Sequence, residues 1–481
     1  MLKYLSLTAA LLSRCELLPD DVVKAVSDIV GKRNVTTDLI DRISYSKSCS
    51  VDESGVPACI VTPRSADEVS RILKIANNNE IPIFVWGRGT AFVPLSVPEN
   101  CILLDMANMN KMLKVDEETM SVTVDAGVVW AAVNSILRKR GFELPVQGGG
   151  ALVSCTVGGS IASSAVPHGI TGGGTTGDSV LNLEVVLPSG ETLWTGSAAN
   201  PSGTPFERYC FGPDLTGLFI GSCGAFGVIT KATLKIEKIP DEEDFACYSF
   251  KNYEHAYKAA LEIQKNRLAR FLVLVQGSLP VKAEALMHII VTSKEGETAK
   301  LLEEIRTICL AYGGVEEDTT GTRNYWRSHN VMYSWLRWED PKEYYRRGDI
   351  PVFCPEASGF LTFSGLLKLT KLFWEYWSKL KNSKYSPILK GFDIYYSRNG
   401  GYLWIDILFS LLDPGALDFG LKVRSTLYEM LLSCGGAPAT IGGGEHAKKI
   451  MSRLGAYYRV LKLIKRSLDP KNILNPGALG L

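Results

Sequence analysis

The stretch LTGLFIGSCGAFGVITKATLKI, residues 215–236, decides the fold of this chain. Its first half is rich in Gly and Ser, which let the main chain approach a ligand closely, and it predicts a tight loop. From Val228 onward, apolar and β-branched residues predominate and predict a strand. The stretch therefore predicts a ligand-binding loop that leads directly into a sheet.

Two further Gly-rich loops lie upstream of this stretch. The first, WGRGTA at residues 86–91, ends a β–α–β pattern whose helix begins with a capping box at Ser65 and Glu68. A helix is predicted over residues 130–138, and beyond it the second loop, SCTVGGSIAS, occupies residues 154–163. Backbone N–H groups can converge on a diphosphate only where side chains are absent. The three loops together predict a cradle for an extended dinucleotide.

A fourth Gly-rich segment, GGGTTG at residues 172–177, satisfies the G-x-G-x-x-G pattern of nicotinamide-binding sites. That pattern should follow a strand and open a helix. Here a polar loop precedes the segment, and a predicted strand over residues 182–187 follows it. No Walker-type lysine follows any of the Gly-rich loops either. Neither a Rossmann NAD site nor a P-loop is therefore expected.

Composition limits the classes of protein to which the chain can belong. The chain has 481 residues, enough for two or three domains, and 46% of them are hydrophobic. Its net charge is +1, so nucleic acid is not an expected partner. The sequence contains no run of about 18 apolar residues, so no transmembrane segment is expected. Residues 5–13 are interpreted as an N-terminal helix rather than as a signal peptide.

Cysteine usage indicates the compartment. The 11 cysteines are scattered and none forms a C-x-x-C pair, so the sequence encodes neither a zinc site nor an iron–sulfur cluster by local spacing. Scattered thiols favour a reducing compartment. The expected localisation is cytoplasmic, with peripheral contact at a membrane as the alternative.

An acidic turn at residues 240–244 predicts a domain boundary. The part that follows, up to residue 440, alternates strands with amphipathic helices and is rich in aromatic residues. These aromatics fill a core in the plainer interpretation, and a few of them line a pocket in the sharper one. We expect one domain of residues 1–240, to which residues 441–481 return, and a second domain of residues 241–440. The last helix ends before Pro470 and is predicted to carry on one face Leu454, Tyr457, Leu461, Ile464 and Leu468.

The three loops, in this order, resemble the FAD-linked oxidases and dehydrogenases that share the FAD-binding domain of p-cresol methylhydroxylase and vanillyl-alcohol oxidase. The resemblance covers residues 57–238, is weak over residues 245–440, and returns at IKRSLDPKNILNPG, residues 464–477. It implies an α+β flavoprotein of two domains, in which an antiparallel sheet of the cap domain covers the flavin. It also implies that FAD is held by Gly87, Arg88, Gly89, Thr90, Ala91, Thr156, Gly158, Gly159, Ala162, Ser163, Gly224, Gly227, Ile229 and Asn475.

The resemblance also bears on how FAD is attached. Some members of the family link FAD covalently through His or Cys. The first loop of this chain has no His, and the spacing from Cys155 to Gly158 does not fit the Cys-linking motif. The FAD is therefore expected to bind non-covalently.

The flavin-domain sequence is similar to that of dehydrogenases of D-lactate, glycolate and 2-hydroxyglutarate, which carry a Glu-His pair that Glu445-His446 resembles. In those relatives the His takes the proton of the substrate hydroxyl, a role that suits an imidazole. A carboxylate substrate also needs a cation, for which Arg327 is a candidate. The two His of the family's metal motif are missing from residues 399–406, so no metal site is expected.

The expected function is hydride transfer from a small 2-hydroxy acid to FAD, with reoxidation by a quinone, a flavoprotein, an iron–sulfur subunit or oxygen. Two alternatives stay open. One is oxidation of a 4-alkylphenol or an aromatic alcohol, which the missing His and the many tyrosines favour. The other is a flavin-carrying subunit of a redox complex. The chain is expected to be a homo-oligomer or a subunit of a complex.

Overall fold

A computed structural model describes residues 17–46, 54–91, 95–146, 154–167, 169–277, 279, 281–331, 346–347, 350–353, 357–397, 399–410 and 412–481. The helix predicted over residues 5–13 lies outside the described residues.

The described residues before position 240 form short helices and three small sheets. Their α-helices are α1 (Asp20–Val30), α2 (Leu39–Tyr45), α3 (Ala66–Asn79), α4 (Trp130–Arg138), α5 (Val157–Ala162), α6 (Ile170–Gly173) and α7 (Leu215–Phe219). Their strands are β1 (Val35–Thr36), β2 (Cys59–Val61), β3 (Ile83–Trp86), β4 (Ile102–Asp105), β5 (Met112–Asp116), β6 (Ser121–Asp125), β7 (Phe142–Glu143), β8 (Val180–Val186), β9 (Thr192–Trp194), β10 (Val228–Lys235) and β11 (Glu237–Lys238).

Two of these sheets bracket the Gly-rich loops. The first has the order β1-β2-β4-β3, and both β2 and β3 run parallel to β4. The second is antiparallel in the order β5-β6-β10-β8-β9. Strand β10, which residues 215–236 predict, therefore lies at the centre of the second sheet. Each sheet has its own apolar core, and β7 pairs separately with β11.

The residues between 242 and 438 build a large antiparallel sheet with helices. The helices are α8 (Tyr253–Lys265), α9 (Thr298–Ala311), α10 (Thr320–Val331), α11 (Phe363–Leu380) and α12 (Ala416–Ser433). The strands are β12 (Glu242–Phe250), β13 (Phe271–Gln276), β14 (Ala285–Ser293), β15 (Val315–Glu316), β16 (Arg346–Arg347), β17 (Ile350–Phe353), β18 (Ala357–Leu361), β19 (Ile388–Ser397), β20 (Gly400–Ser410) and β21 (Ala437–Pro438).

The two faces of this sheet have different neighbours. The order is β15-β12-β14-β13-β19-β20-β17-β16, and β18 pairs with both β20 and β21. One face packs against α8, α9, α11 and α12 in the largest apolar core. The other face carries Phe271, Tyr395 and Tyr402, which pack with Ile170 from the first part of the chain. Aromatic side chains thus stand where the sheet meets the Gly-rich loops.

The end of the chain returns to the first sheet. After α13 (Gly444–Met451) and α14 (Ala456–Leu468), the Ile83 N–H donates to the Ile473 carbonyl at 2.7 Å. The Asn475 N–H donates to the Ile83 carbonyl at 2.8 Å. The fold is α+β, as expected. The division at residues 240 and 441 stays a prediction.

Several local predictions are confirmed, and one is wrong in part. Helix α4 has the predicted bounds, and Oγ of Ser65 accepts from the Glu68 N–H at the start of α3. The Glu68 carboxylate turns to the Arg64 N–H at 2.7 Å instead of completing the capping box. At the last helix, Tyr457 is 62% exposed and Leu454 is 43% exposed, although both were predicted to share one face with Leu461, which packs against the core.

Candidate cofactor and substrate site

A single large cavity joins the three Gly-rich loops to the aromatic face of the large sheet. Its open space is about 1560 Å³, including the space at its mouth. We call it the central cavity; its boundary comprises loop residues such as Gly87 and Gly158, and cap residues such as Tyr402 and Trp404.

The first loop follows β3 and approaches the second loop so closely that side chains are excluded. A Cβ built on Gly87 would lie 2.6 Å from Oγ1 of Thr156. Gly89 has a φ of +64°, and its Cβ would lie 2.3 Å from the ring of Trp86. Trp86 is held by Tyr45, whose ring lies 5.5 Å away and whose hydroxyl donates to Asp105 at 2.6 Å. Burial and that hydrogen bond raise the pKa of Tyr45.

The second loop runs into the short helix α5. Thr156 caps it, and its Oγ1 accepts from the Gly159 N–H at 3.2 Å. A Cβ on Gly158 would lie 2.6 Å from the Cβ of Ala126, so this position requires glycine. Cys155 is 7% exposed and lines the cavity beside this helix.

The third loop is fastened by Asn475 near the end of the chain. The side-chain amide of Asn475 donates to the Cys223 carbonyl at 2.8 Å and accepts from the Val85 N–H at 2.9 Å. A Cβ on Gly224, whose φ is +73°, would lie 2.3 Å from the Asn475 side chain. One buried amide therefore fixes the third loop against the strand that leads into the first.

A buried lysine supports this arrangement from behind. The ammonium of Lys465 donates to the Ala225 carbonyl at 2.9 Å, the Leu474 carbonyl at 2.7 Å and the Asp469 carboxylate at 2.6 Å. The carboxylate of Asp469 also accepts from the N–H groups of Ile473 and Leu474. Burial lowers the pKa of Lys465, and Asp469 opposes that effect. The two side chains join α14, the third loop and the last segment.

The wall opposite the loops consists of side chains on β18 and β20. Ser358 lies opposite Trp404 in the register of these strands, and Phe360 lies opposite Tyr402. Paired residues share a face of a sheet, as do alternate residues of one strand. The indole N–H of Trp404 donates to Asp406 at 2.6 Å. Thr440 completes this wall and donates to the Ser163 carbonyl of the second loop.

All fourteen residues predicted to hold FAD lie on the central cavity. The fourth Gly-rich segment does not join them among the described lining residues. It lies where the two parts of the chain meet, and the Gly172 N–H donates to the Arg270 carbonyl at 2.9 Å. Direct contact of the fourteen residues with FAD stays a prediction.

The residues predicted to be catalytic are placed differently. Among the described residues that line the cavity, neither Glu445 nor His446 occurs. Glu445, in the first turn of α13, is 91% exposed and pairs with Lys448 at 3.3 Å. Nε2 of His446 is buried, and its ring lies edge-on to Tyr428 at 4.9 Å. Arg327 lies in α10, and its side chain is outside the described residues.

Sequence reasoning missed the cap-side residues as a set. Tyr402 and Trp404 were noticed only as members of an aromatic-rich region, and Ser358 and Thr440 carry no motif. Alternation along residues 400–410 would have shown that Tyr402, Trp404 and Asp406 share one face. The pairing of β18 with β20 could not have been predicted from local signals.

Comparisons with known proteins agree with this architecture. A family model described as an FAD binding domain matches residues 57–196. The mitochondrial D-lactate dehydrogenase (cytochrome) of Arabidopsis thaliana is 29% identical over 305 residues, 63% of this chain and 50% of that protein. The glycolate oxidase subunit GlcD of Bacillus subtilis (strain 168) is 27% identical over 322 residues, 64% of this chain and 66% of that protein. The chain thus spans about half to two thirds of these relatives.

A solved structure of p-cresol methylhydroxylase with substrate bound matches the whole fold. Its TM-score is 0.78, and the match covers 96% of each chain at 18% sequence identity.

The residues of the central cavity fit FAD. The cofactor's diphosphate needs main-chain donors close by, and Gly87 and Gly158 leave space that a Cβ could not share with its neighbours. Arg88 and Thr90 add polar side chains on the same loop. The apolar lining by Cys155, Cys223 and Ile229 suits a flat ring system.

Proposed function

We propose that this chain oxidises a small hydroxylated substrate, because residues 57–196 match an FAD binding domain and the chain is similar to a D-lactate dehydrogenase and to a glycolate oxidase subunit. The observation that carries the proposal is the central cavity itself. It extends without interruption from the Gly-rich loops to a wall of aromatic and hydroxyl side chains. A cofactor and a small substrate can therefore share one enclosed space.

When bound, FAD supplies the hydride acceptor for such a reaction. The protein's contribution is to hold the substrate against the wall formed by Tyr402 and Trp404. Hydroxyl groups of Ser358 and Tyr402 on that wall offer hydrogen bonds to a substrate oxygen. Asp406 holds the indole of Trp404 and so acts as a positioning residue. The apolar area of this wall excludes water from the reacting carbon.

We propose a 2-hydroxy acid similar to D-lactate or glycolate as the substrate, because sequence relatives bear those names. In this proposal His446, with Glu445 beside it, takes the hydroxyl proton, and Arg327 binds the carboxylate. These three roles rest on the resemblance and on the chemistry of the side chains. They require His446 to reach the cavity, so they are tested separately from the reaction class.

A second candidate is oxidation of a 4-alkylphenol or an aromatic alcohol. The specific observation in its favour is the aromatic pair of Tyr402 and Trp404 on the cavity wall, whose ring centroids lie 6.3 Å apart. Aromatic rings at such distances offer offset and edge-on contacts to a phenol ring. This substrate would need neither a metal nor a carboxylate-binding arginine.

The experiment is an anaerobic flavin-reduction scan. The FAD-loaded protein is mixed with D-lactate, L-lactate, glycolate, D-2-hydroxyglutarate and a 4-alkylphenol while the flavin absorbance is followed. Bleaching by a D-hydroxy acid is the expected result. Bleaching by the phenol alone would replace the first candidate with the second. If no compound bleaches the flavin, the proposed substrate classes are wrong, and a flavin-carrying subunit becomes the favoured function.

The acceptor and the quaternary structure belong to the same proposal. Electrons leave to a quinone, a flavoprotein, an iron–sulfur subunit or oxygen, and the chain acts as a homo-oligomer or as a subunit of a redox complex. FAD is bound non-covalently, so acid precipitation should release yellow flavin into the supernatant. Flavin retained in the pellet would show a covalent link.

A further inference from the structure

The last helix presents apolar side chains to solvent. In α14 and the turn before it, Leu463 is 64%, Tyr457 is 62% and Val460 is 53% exposed, while Leu454 is 43% exposed. Exposed large apolar residues are unremarkable singly, but these four lie within ten positions, three of them on α14 and Leu454 in the turn before it. We call these four residues the outer stripe of α14.

The inward side of the same helix already packs against the rest of the protein. Tyr458 and Lys465 are buried, and Leu461 and Leu468 pack against the core of the second sheet. The outer stripe is therefore not the misplaced half of a core-facing helix. It is a second apolar surface that adjoins the buried one, because Tyr457 lies one helical turn before Leu461.

Basic residues accompany the outer stripe. Residues 448–471 contain eight of the 52 Lys and Arg residues of the chain but only one of its 51 Asp and Glu residues. That one, Asp469, is buried and already bound by Lys465. Arg459 and Arg466 are exposed on α14 itself. Lys448, Lys449, Arg453 and Lys471 pair with acidic side chains outside this stretch. The positive charge beside the outer stripe is therefore that of Arg459, Lys462 and Arg466.

We propose that α14 docks the protein on an anionic phospholipid surface, with the outer stripe in the acyl boundary and Arg459 and Arg466 at the headgroups. A helix with exposed apolar residues flanked by basic ones is the form that binds in the plane of such an interface. Three of its four residues lie on one exposed helix face, which fits a fluid lipid surface. Long cationic side chains can keep their charge in the headgroup layer while their stems cover apolar surface.

No described helix is long and apolar enough to cross a membrane. The proposed contact is therefore peripheral and reversible, and it should depend on salt and on lipid charge.

The test is co-sedimentation of the FAD-loaded full chain with vesicles. Vesicles of phosphatidylcholine alone are compared with vesicles that contain roughly 30% phosphatidylglycerol. We expect binding to the anionic vesicles at about 0.05 M salt and a loss of at least ~5-fold at about 0.5 M salt. The double variant Val460→Ser/Leu463→Ser should lower the binding by at least ~10-fold, and Arg459→Gln/Arg466→Gln should remove the preference for anionic lipid.

Phe211→Ser is the matched control. Phe211 is 73% exposed, but it lies in a loop whose neighbouring charges, on Glu207, Arg208 and Asp214, are mixed. This variant should bind as the parent does, and all variants should keep the parent's flavin spectrum. Equal binding to neutral vesicles, no binding to anionic vesicles, or retained binding by the Ser double variant would each overturn the proposal. Absence of vesicle binding would favour an acidic protein as the occupant of this surface.

Discussion

The two walls of the central cavity are built from different materials. On the loop side, the boundary is main chain, and Gly87, Gly89 and Gly158 approach their neighbours too closely for any side chain. On the cap side, the boundary is formed by side chains such as Tyr402 and Trp404, which alternate along β20. Main-chain donors suit a constant ligand, whereas side chains can be exchanged without changing the fold. The difference indicates that cofactor affinity and substrate choice are encoded in separate parts of the chain.

The largest expected effect tests whether the loop-side wall depends on its buried support. Lys465→Met would leave the buried carboxylate of Asp469 without its cation. Breaking a buried ion pair by removing one partner costs about 3–5 kcal/mol. We expect the free energy of unfolding, measured with denaturant, to fall by that amount.

The control for this prediction is Lys448→Met, a change at a lysine whose side chain is 60% exposed. Surface substitutions usually change stability by less than about 0.5 kcal/mol. Equal losses in the two variants would show that the buried pair contributes nothing special to the loop-side wall.

The second prediction concerns the first Gly-rich loop, which lines the cavity where the cofactor would lie. Gly89→Ala places a Cβ 2.3 Å from the ring of Trp86 at a φ of +64°, so the first loop must move. We expect the affinity for FAD to fall at least ~100-fold, about 2.7 kcal/mol, as measured by fluorescence titration of the apoprotein. Gly435→Ala is the matched control, since Gly435 has a φ of +77° but open space around its Cβ. If both variants bind FAD like the parent, the first loop does not form the cofactor wall.

The contrast between the walls also explains what could be predicted from sequence. Close approach of main chain demands glycine, so the loops at residues 86–91 and 154–163 can be recognised from the sequence by their glycines. Helix α4 could also be predicted from the sequence, because its apolar spacing and its end signals are local features. The cap-side wall depends on the pairing of Ser358 with Trp404, which joins distant segments. Local signals in a single sequence do not show which distant strands pair.

Two sets of predicted residues show what local spacing leaves open. Glu445 and His446 form a recognisable pair, but Glu445 faces solvent, and neither residue is among the described lining of the central cavity. Tyr457 has helical spacing with Leu461, yet the surface that α14 buries is decided by Lys465 and its acceptors on other segments. Spacing predicts which residues share a face, and tertiary contacts decide which way that face points.

The third prediction concerns only the large antiparallel sheet between residues 242 and 438. His288 lies on β14, where Nδ1 is 2.8 Å from Oγ1 of Thr322 and 3.7 Å from Sγ of Cys247. Burial lowers the pKa of His288 to about 4. An unfolded His titrates near 6.5, so the unfolded chain binds more protons between the two values, and stability falls as the pH drops through this window.

The expected loss from this group is about 2 kcal/mol between pH 7 and pH 5. His288→Gln should remove that part of the pH dependence, which denaturant titrations at several pH values would show. Matching slopes in parent and variant would mean that His288 does not titrate as its burial requires. The same variant should leave the affinity for FAD unchanged, because His288 lies on β14 of the large sheet and not on the Gly-rich loops.

The smallest expected effect separates substrate positioning from cofactor binding. Asp406→Asn weakens the acceptor that holds the indole of Trp404 at 2.6 Å, so the cap-side wall loosens while the loops stay intact. We expect flavin reduction by the substrate to slow by ~10-fold, about 1.4 kcal/mol in the barrier, with FAD affinity unchanged. His446→Gln tests the role of base proposed for His446, whose Nε2 is buried beside Tyr428. A change of less than ~3-fold would remove His446 from the mechanism, and a drop of ~10²-fold would support the role of base. In that case the active protein would have to turn α13 toward the cavity, and the cap-side wall would no longer be formed by the sheet alone.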